Sequence, residues 1–549
     1  MNARWMAAAL AFSMACATTE QKKPELNPLE QEQLEEKQKA EAFAAEAKKK
    51  AEAQAKEREE AAAAAAKAAA EKAAMLKAMI AGEDVLLTRP TIAPLSGFEA
   101  PVPAEVKLKN GLRVLVIERA GAPIESLVFV TKLGSTRDPA GKGGLSSITA
   151  AMLEAGSAKK SQTQIAQLAD SMGATLRALA TTDGLEALVS AQPGKLNEMG
   201  ALLADVAMKP NFDPGEWKKA KAQRLAQLTD EMAEPRVAAV NAAMAALYGD
   251  APLGHTPQGT PKTVGAIELA DVKSFWAQVD PSEAVIIAVG SATQAQVLKA
   301  VARFEGIAKG KGAATAAPAG AGKDAGDKAG QGASQAPADG RPRFVFVDFP
   351  GRPQSVLWVG QPSVPSSSPD QVALRAMNVV LGGSFTSRLN QNLREKNGYS
   401  YGAFSNFAFG KGPGAFQAAS SVKTQVTGAA LGEMLKEIAH AVNDPLSNDE
   451  LDKGKAMLAY GLVEQLERAD QTALAFAGLF TAEVPMDTLR KIVPQLKTLT
   501  VAEVNAAAKR SLAPDAMTIV IAGDPGVMGQ LDALKLPAPQ KRDATGAKQ

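Results

Sequence analysis

The sequence predicts an α+β protein in which one folding unit occurs twice. Short strands of the hairpin type are interleaved with long amphipathic helices, which favours mixed layers over a doubly wound parallel sheet. Similar strings of residues also recur about 230 positions apart, as expected for a duplicated domain. A chain of 549 residues is long enough for roughly two to four domains. We therefore predict two homologous α+β domains, at residues 95–308 and 342–535.

The first copy begins with a predicted hairpin. Asn110 and Gly111 lie between runs of alternating apolar residues, a pattern typical of a two-residue type I′ turn. A strand at 126–130, a Gly-rich loop and a helix at 145–153 follow in that order.

The second copy is identified by four pairs of matching segments, two in strands and two in helices. The pairs are 126–130 with 355–359, 151–153 with 380–382, 212–217 with 446–451, and 285–290 with 517–523. The offset between the members of a pair changes by only a few residues. Small differences in loop length between the two copies account for such a change.

The first sixteen residues have the pattern of an export signal. Arg4 is followed by about eleven apolar residues, too few to span a bilayer, and a small residue precedes Cys16. This pattern resembles a bacterial lipoprotein signal, although Ser13 stands where such signals usually carry leucine. The resemblance implies a signal peptide at 1–16, acylation of Cys16, and a membrane-anchored protein on the periplasmic face of the bacterial cell envelope. Plain secretion with an incidental cysteine is the alternative.

Three further segments are predicted to lie outside the two domains. Residues 27–82 consist almost entirely of Ala, Glu, Lys and Gln, which predicts a long charged helix that acts as a spacer. A coiled coil or a partner-docking helix is the alternative for this segment. Residues 309–341 are rich in Gly and Ala without apolar periodicity, as in a flexible linker. The tail at 536–549 is predicted to be disordered.

The composition excludes several functions. With 61 Lys and Arg against 59 Asp and Glu, the net charge of +2 provides no basic surface for nucleic acid. A single cysteine excludes a disulfide framework and any zinc or iron–sulfur site built from thiolates. The only two histidines, His255 and His440, are far apart in the sequence, and each is interpreted as an ordinary surface or packing residue.

Several strings in both copies resemble the insulinase and mitochondrial-processing-peptidase-like zinc metallopeptidases, the pitrilysin superfamily. In the first copy they include LGSTRDP at 133–139 and LADSMGAT at 168–175. In the second copy they are LGGSFTSRL at 381–389 and LREKNGYSYG at 393–402. The resemblance extends over both predicted domains and implies metallopeptidase-like α+β domains, with antiparallel sheets and packed helices.

The resemblance also identifies the positions of a zinc site that this chain lacks. Active members of the family carry His-x-x-Glu-His on the helix after a Gly-Leu pair. Two histidines one turn apart bind zinc there, and the glutamate activates water. The corresponding residues here are Ser147, Ala150 and Ala151, and the third ligand position falls at Gln227. The chain is therefore predicted to hold no cofactor and to be inactive alone, with zinc expected only in a partner chain.

The resemblance also implies a pair of substrate-binding residues in the second copy. In active relatives an arginine and a tyrosine of this half contact the substrate at the scissile bond, and here they correspond to Arg394 and Tyr401. A guanidinium and a phenol at this place can bind a peptide carbonyl and stabilise its developing oxyanion. The resemblance thus implies a heterodimer with a catalytic insulinase-family homologue that acts on peptides or unfolded protein segments. A purely structural role for both residues stays open.

Two alternative functions remain beside this one. The chain could be a membrane-tethered binding or scaffolding protein with no role in proteolysis, or, less favoured, an active metalloendopeptidase. Serine–lysine spacings at Ser157 and Lys160 and at Ser420 and Lys423 lack the motifs that accompany such dyads in β-lactamase-like sites. Glu154 could mimic a catalytic carboxylate, but it has no set of metal ligands near it in the sequence.

Overall fold

The computed structural model describes residue 95 and residues 97–157, 159–308 and 343–549. All of these belong to one compact unit, Ala93–Gln549. The predicted signal peptide at 1–16, spacer helix at 27–82 and linker at 309–341 lie outside the described residues and stay predictions. Among the described helices, none combines the length and the apolar character needed to cross a bilayer.

The first half is built on a six-stranded sheet. Its strands, together with a separate ladder formed by β4 and β5, are β1 (Ala104–Lys107), β2 (Arg113–Glu118), β3 (Glu125–Thr131), β4 (Gly156–Ser157), β5 (Lys160–Ser161), β6 (Thr175–Ala180), β7 (Leu185–Ala191) and β8 (Ala284–Gly290). The order in the sheet is β1–β2–β8–β3–β7–β6, and only β2 and β8 run parallel. Every residue of β3 and β8 is buried, as expected for central strands that are covered on both faces.

The helices of the first half lie between these strands along the chain. They are α1 (Leu145–Glu154), α2 (Gln162–Ser171), α3 (Leu196–Met208), α4 (Pro214–Met232), α5 (Pro235–Tyr248), α6 (Pro261–Gly265), α7 (Leu269–Trp276) and α8 (Gln294–Val301). Local chemistry fixes several of their starts. Asp213 accepts the N–H groups of Gly215 and Glu216 at the start of α4, and Pro214 takes the first helical position.

The second half repeats this architecture on its own six-stranded sheet. The strands are β9 (Phe344–Asp348), β10 (Gln354–Ser363), β11 (Ser400–Ala408), β12 (Gly414–Lys423), β13 (Thr518–Gly523) and β14 (Gln540–Arg542), in the order β11–β12–β10–β13–β9–β14. The helices are α9 (Gln371–Leu381), α10 (Arg388–Asn390), α11 (Thr427–Asn443), α12 (Asn448–Glu467), α13 (Ala469–Thr481), α14 (Thr488–Thr498) and α15 (Val501–Ser511). A π-helical turn at Gln391–Lys396 continues α10.

The two sheets have corresponding strand orders, so the α+β fold class is confirmed. β3 and β10 are the equivalent central strands; β8 corresponds to β13, β7 to β12, β6 to β11 and β2 to β9. The matching segments of the sequence therefore lie in equivalent elements. For example, 212–217 and 446–451 contain the capped starts of α4 and α12.

Each sheet is covered on one face by helices of its own half and on the other face by a helix of the opposite half. Phe476 and Phe480 of α13 pack against Val128 and Val130 of β3 in one apolar cluster. Reciprocally, the alanine-rich face of α5 packs against the second sheet, where Trp358 of β10 lies in the cluster. The start of α5 therefore lies against the face of the second sheet.

The predicted hairpin forms, but its turn is not of type I′. Lys107 pairs with Arg113 across β1 and β2, and the connecting turn has positive φ only at Gly111. A type I′ turn needs positive φ at both central residues. Asn110 instead donates from Nδ2 to the carbonyl oxygen of Phe304 (2.8 Å), and its Oδ1 accepts the N–H of Leu112 (3.2 Å). The asparagine therefore anchors the hairpin to a distant part of the same half.

The prediction of a disordered tail at 536–549 is wrong. Residues of β14 pair in parallel with β9, and they occupy the edge position that β1 occupies in the first sheet. Arg542 is buried and donates to the carbonyl oxygen of Gly546, while Asn241 of α5 donates to the carbonyl oxygen of Ala544 (3.1 Å). Among the described residues, no β1-like hairpin lies next to β9, and β14 pairs with this edge instead.

Candidate functional site

The helix that carries the degenerate zinc motif is α1, which packs against α4. Ala150 is buried in the core of the first half, whereas Ser147 is half-buried and Ala151 is exposed one turn later. Ser147 and Ala151 therefore share the outer side of α1, as the i and i+4 spacing of the sequence implies. Neither side chain offers an imidazole or a carboxylate to a metal.

Gln227, at the position of the third ligand, lies on the exposed side of α4. Its Oε1 accepts a hydrogen bond from Arg224 (3.4 Å), one turn earlier. The same guanidinium donates twice to the carboxylate of Glu231 (3.0 and 3.2 Å) and once to the carbonyl oxygen of Gln258 (3.4 Å). The residue at the third ligand position is therefore bonded to a guanidinium that is itself paired with Glu231, and it offers no charged ligand to a metal.

The start of α1 is held by a buried carboxylate. Asp138 accepts the N–H groups of Gly144 and Ser146 at 2.8 Å each. Burial raises the pKa of Asp138 to about 6, against the opposing effect of these two hydrogen bonds and of nearby His255. The His255 ring lies beside Gly143, where an added β-carbon would be 3.1 Å from Nδ1. Asp138 and His255 thus support the loop that leads into α1.

The residues present at these positions do not fit zinc. A tetrahedral zinc site needs three or four nitrogen, sulfur or carboxylate ligands. Ser147, Ala151 and Gln227 offer none of these, and the carboxamide oxygen of Gln227 already accepts a hydrogen bond from Arg224. Within the described residues, no three His, Cys, Asp or Glu side chains are grouped so that they could hold a metal ion. That the chain needs no cofactor stays a prediction.

Arg394 lies on the π-helical turn Gln391–Lys396, a type of turn that is frequent at functional sites. Its guanidinium carbon is 3.7 Å from the centroid of the Phe385 ring, and Nη2 donates to the Phe385 carbonyl oxygen (3.3 Å). Nε donates to the carboxylate of the adjacent Glu395 (2.8 Å). Arg394 is mostly covered by these contacts, whereas Phe385 is 74% exposed.

Tyr401 lies on a bulge of β11, the edge strand of the second sheet. The pairing of β11 with β12 shifts register between Ser400 and Ala403, so Tyr401 and Gly402 lie outside the regular ladder. Tyr401 is 90% exposed, and its phenol makes no hydrogen bond to the part of the chain that the structure describes. The phenol is therefore available to a molecule outside this chain.

Two residues that the sequence did not single out for this role hold the bulge in place. Buried Asn390 accepts the N–H of Ala403 at Oδ1 (2.9 Å) and donates to the carbonyl oxygen of Ser384 (3.1 Å). Ser420 donates from Oγ to the carbonyl oxygen of Gly402 (2.9 Å). Both are positioning residues, since they reach the backbone around Tyr401 and not the phenol. A side chain-to-backbone bond of this kind leaves no recognisable spacing in the sequence.

The other candidates from the sequence do not form catalytic groups. The hydroxyl of Ser420 donates to the carbonyl oxygen of Gly402, and Lys423 donates to the carbonyl oxygen of Gly398 (3.3 Å). The two side chains therefore do not form a catalytic dyad. Lys160 pairs with the carboxylate of Asp205 and not with Ser157.

Two more candidates have ordinary surroundings. Glu154 accepts the N–H of Ala178, and burial raises the pKa of its carboxyl group. His440 is exposed near the end of α11. Cys16, the predicted lipidation site, lies outside the described residues.

Two family profiles match this chain. The profile described as Insulinase (Peptidase family M16) matches residues 113–260, and the profile described as Peptidase M16 inactive domain matches residues 266–458. The two matches follow one another along most of the described chain.

Relatives carry both kinds of name. A Mycobacterium bovis protein named an uncharacterized zinc protease is 23% identical over 427 residues, covering 77% of this chain and 94% of the relative. A Helicobacter pylori protein named a non-peptidase homolog, YmxG, is 22% identical over 368 residues, covering 66% of this chain and 80% of the relative.

Solved structures are similar over about three quarters of this chain. The peptidase M16 inactive domain from Pseudomonas fluorescens is 28% identical, with a TM-score of 0.68 over 77% of this chain and 98% of that structure. A chain of complex III from Candida albicans is 17% identical, with a TM-score of 0.64 over 78% of this chain and 97% of its own, which shows the fold alone.

Proposed function

The chain belongs to the peptidase M16 (insulinase) family as an inactive-type homologue without the zinc motif, and we propose that it is the non-catalytic member of a heterodimer. In this heterodimer, a zinc-bearing homologue supplies the metal and the base. The present chain supplies hydrogen-bond donors and helps to form the chamber that holds the peptide. The substrates are peptides or unfolded protein segments.

The observation that carries this proposal is the presentation of Tyr401. A bulge holds it outside the sheet ladder at 90% exposure, and its phenol has no partner in the described residues. A large aromatic side chain that is fully presented to solvent, on a backbone fixed by Asn390 and Ser420, suits contact with another molecule. The first half, by contrast, has lost every metal ligand of the family motif.

The chemistry available to these residues is hydrogen-bond donation. A phenol and a guanidinium can donate to a peptide carbonyl oxygen as negative charge develops on it, and donors of this kind lower the barrier of acyl transfer. Arg394 can reach such a carbonyl by giving up its bond to exposed Glu395, because an exposed ion pair stabilises the structure by only about 1 kcal/mol or less.

Co-assembly with a zinc-bearing homologue tests the proposal. The purified chain is mixed with a homologue from the same organism that carries an intact His-x-x-Glu-His, and the mixture is examined by size-exclusion chromatography and peptidase assay. A one-to-one complex with more activity than the homologue alone supports the proposal. A homologue that is fully active alone and forms no complex with this chain contradicts it.

A scaffolding function is the second candidate, and the contacts of Arg394 favour it. The guanidinium is engaged by Glu395 and stacked on Phe385, so it already has partners within the chain. A scaffold assembles with the same homologue but leaves its turnover unchanged when Arg394 or Tyr401 is replaced.

The proposal also includes tethering to a membrane through Cys16. Several acyl chains on one cysteine hold a protein firmly at a bilayer, whereas a single chain holds it only weakly. Replacing Cys16 by serine should move the protein from the membrane fraction to the soluble fraction of the cell envelope. A Cys16→Ser variant that partitions with membranes as the unmodified protein does contradicts the tether.

A further inference from the structure

A cavity of about 140 Å³ lies between the second sheet and the start of α5. Its lining includes Arg236 from α5, Gln354 from β10, Tyr401 and Phe404 from β11, and Ser421 from β12. Arg236 is the second residue of α5, and its guanidinium carbon is 5.0 Å from the centroid of the Phe404 ring. The cavity is therefore formed jointly by the two halves and adjoins the bulge that presents Tyr401.

The polar side chains around this cavity are available for binding. Those of Arg236, Gln354, Tyr401 and Ser421 make no hydrogen bond or ion pair with any described residue. A guanidinium, a carboxamide, a phenol and a hydroxyl all donate hydrogen bonds. With the phenol assigned to the peptide backbone, the three remaining donors around one small space suit an acceptor-rich group.

Arg236 is the charged residue that lines the cavity, and two further basic residues lie on neighbouring segments. Arg352 donates to the carbonyl oxygen of Ala233 (2.9 Å), just before α5, and Lys423 lies opposite Gln354 in the ladder of β10 and β12. Neither Arg352 nor Lys423 forms an ion pair with a described carboxylate. Two carboxylates lie near these residues: Glu234, two residues before Arg236, makes no capping hydrogen bond to α5, and Asp524 accepts the N–H of Gly351 (2.6 Å), next to Arg352. The N-terminus of α5 adds a partial positive charge.

We infer that this cavity binds the carboxylate of an acidic side chain in the peptide whose backbone Tyr401 contacts. The volume is below that of pockets for small organic ligands, about 300–1,000 Å³, and suits a single side chain. A carboxylate accepts hydrogen bonds from several donors at once, and the bond from a guanidinium is charge-assisted. The inference rests on the proposed function, because it takes the occupant from the peptide held in the shared chamber.

Binding of two labelled peptides to the purified chain alone tests the inference. The peptides are identical except for glutamate or glutamine at one position, and binding is measured by fluorescence anisotropy. The glutamate peptide should bind about tenfold more tightly, as expected for one partly exposed charge-assisted bond. Arg236→Gln should abolish the difference and Arg236→Lys should retain part of it. Arg303→Gln, at an exposed arginine elsewhere in the first half, should leave it unchanged.

The remaining outcomes contradict the inference. Equal binding of the two peptides overturns it, and so does a preference for glutamate that survives Arg236→Gln. The absence of binding of either peptide at concentrations up to about 1 mM overturns it as well. If the chain binds inorganic phosphate, if Arg236→Gln abolishes that binding, and if the two peptides bind equally, the cavity is a site for small anions. This outcome also overturns the inference. The assay contains no partner chain and measures no turnover. If the proposed function is wrong, the preference for glutamate can therefore still be observed. If the preference for glutamate is absent, assembly with the zinc-bearing homologue can still be observed.

Discussion

The guanidinium carbon of Arg394 lies 3.7 Å from the centroid of the Phe385 ring, and that ring is 74% exposed. A cation stacked on an exposed ring, with one exposed carboxylate beside it, is held in position by weak contacts. The arrangement keeps the guanidinium near the protein surface and allows it to change partners. This distinguishes Arg394 from the structural arginine six residues earlier, Arg388.

Arg394→Ala should therefore lower the free energy of unfolding by about 1 kcal/mol, whereas Arg388→Ala should lower it by about 2–3 kcal/mol. Arg388 makes a bidentate pair with Glu450 (2.7 and 2.8 Å), and its hydrogen bond holds the pKa of Glu450 at about 2. Urea denaturation of the two variants measures the difference. If Arg394→Ala costs as much as Arg388→Ala, Arg394 has a structural role.

The purified chain should bind no stoichiometric zinc and should cleave no peptide alone. Ser147, Ala150, Ala151 and Gln227 provide none of the ligands or the base. Metal analysis after dialysis and a peptidase assay with and without chelator provide the measurement. About one tightly held zinc per chain, or chelator-sensitive cleavage, contradicts this expectation.

The stability of the protein should fall between pH 5 and pH 8 because of Glu186. This residue lies on β7 on the same face as Leu188, which packs in the cluster between the first sheet and α13. Burial raises the pKa of Glu186 from 4.5 to about 7. A carboxyl group whose pKa is higher in the folded than in the unfolded state contributes stability while it is protonated. That contribution is complete below about pH 4.5 and is lost as the pH rises through about 7.

Glu186→Gln should therefore match the unmodified protein at pH 5 and exceed it at pH 8 by up to about 3 kcal/mol. The control is Glu464→Gln, at an exposed glutamate of α12, which should change stability by less than about 0.5 kcal/mol at both pH values. Urea denaturation at the two pH values measures the effect. A Glu186→Gln variant with the same pH dependence as the unmodified protein is the contradicting result.

Removal of residues 537–549 should destabilise the second half by about 2–4 kcal/mol and promote aggregation. The truncation removes β14, unpairs the edge of β9, and removes the hydrogen bond between Asn241 and the Ala544 carbonyl oxygen. Lys541→Ala, which removes only an exposed ion pair with Asp348, should cost less than about 1 kcal/mol. Denaturation curves and light scattering compare the two variants. An unchanged denaturation midpoint after truncation would show that β14 adds nothing to the fold.

The fold could be predicted from the sequence wherever one copy had a counterpart in the other. Residues 126–130 and 355–359 are apolar on both sides, and they are indeed the central strands of the two sheets. The edge strand β14 could not be predicted in this way, because its partner β9 lies almost 200 residues earlier and the first copy uses a hairpin at that place. A polar segment of three residues has no apolar pattern of its own.

The candidate site was accessible to sequence reasoning only in part. Arg394 and Tyr401 could be located because a contiguous string carries them both. Asn390 and Ser420 could not, because each acts through one bond to the backbone of the bulge, and such bonds follow the folded geometry. Arg236 lies in the other half of the chain, and only the packing of α5 on the second sheet brings it beside Tyr401.

The kcat of the assembled pair tests the central claim most directly. Arg394→Ala and Tyr401→Phe, each combined with the zinc-bearing homologue, should lower kcat by about 10²–10³ while the complex stays intact, because each loses a donor to the developing oxyanion. The matched control is Tyr460→Phe, at a half-exposed tyrosine of α12, which should leave kcat unchanged. Unchanged turnover in both Arg394→Ala and Tyr401→Phe, with assembly preserved, would contradict the account and leave the chain a scaffold.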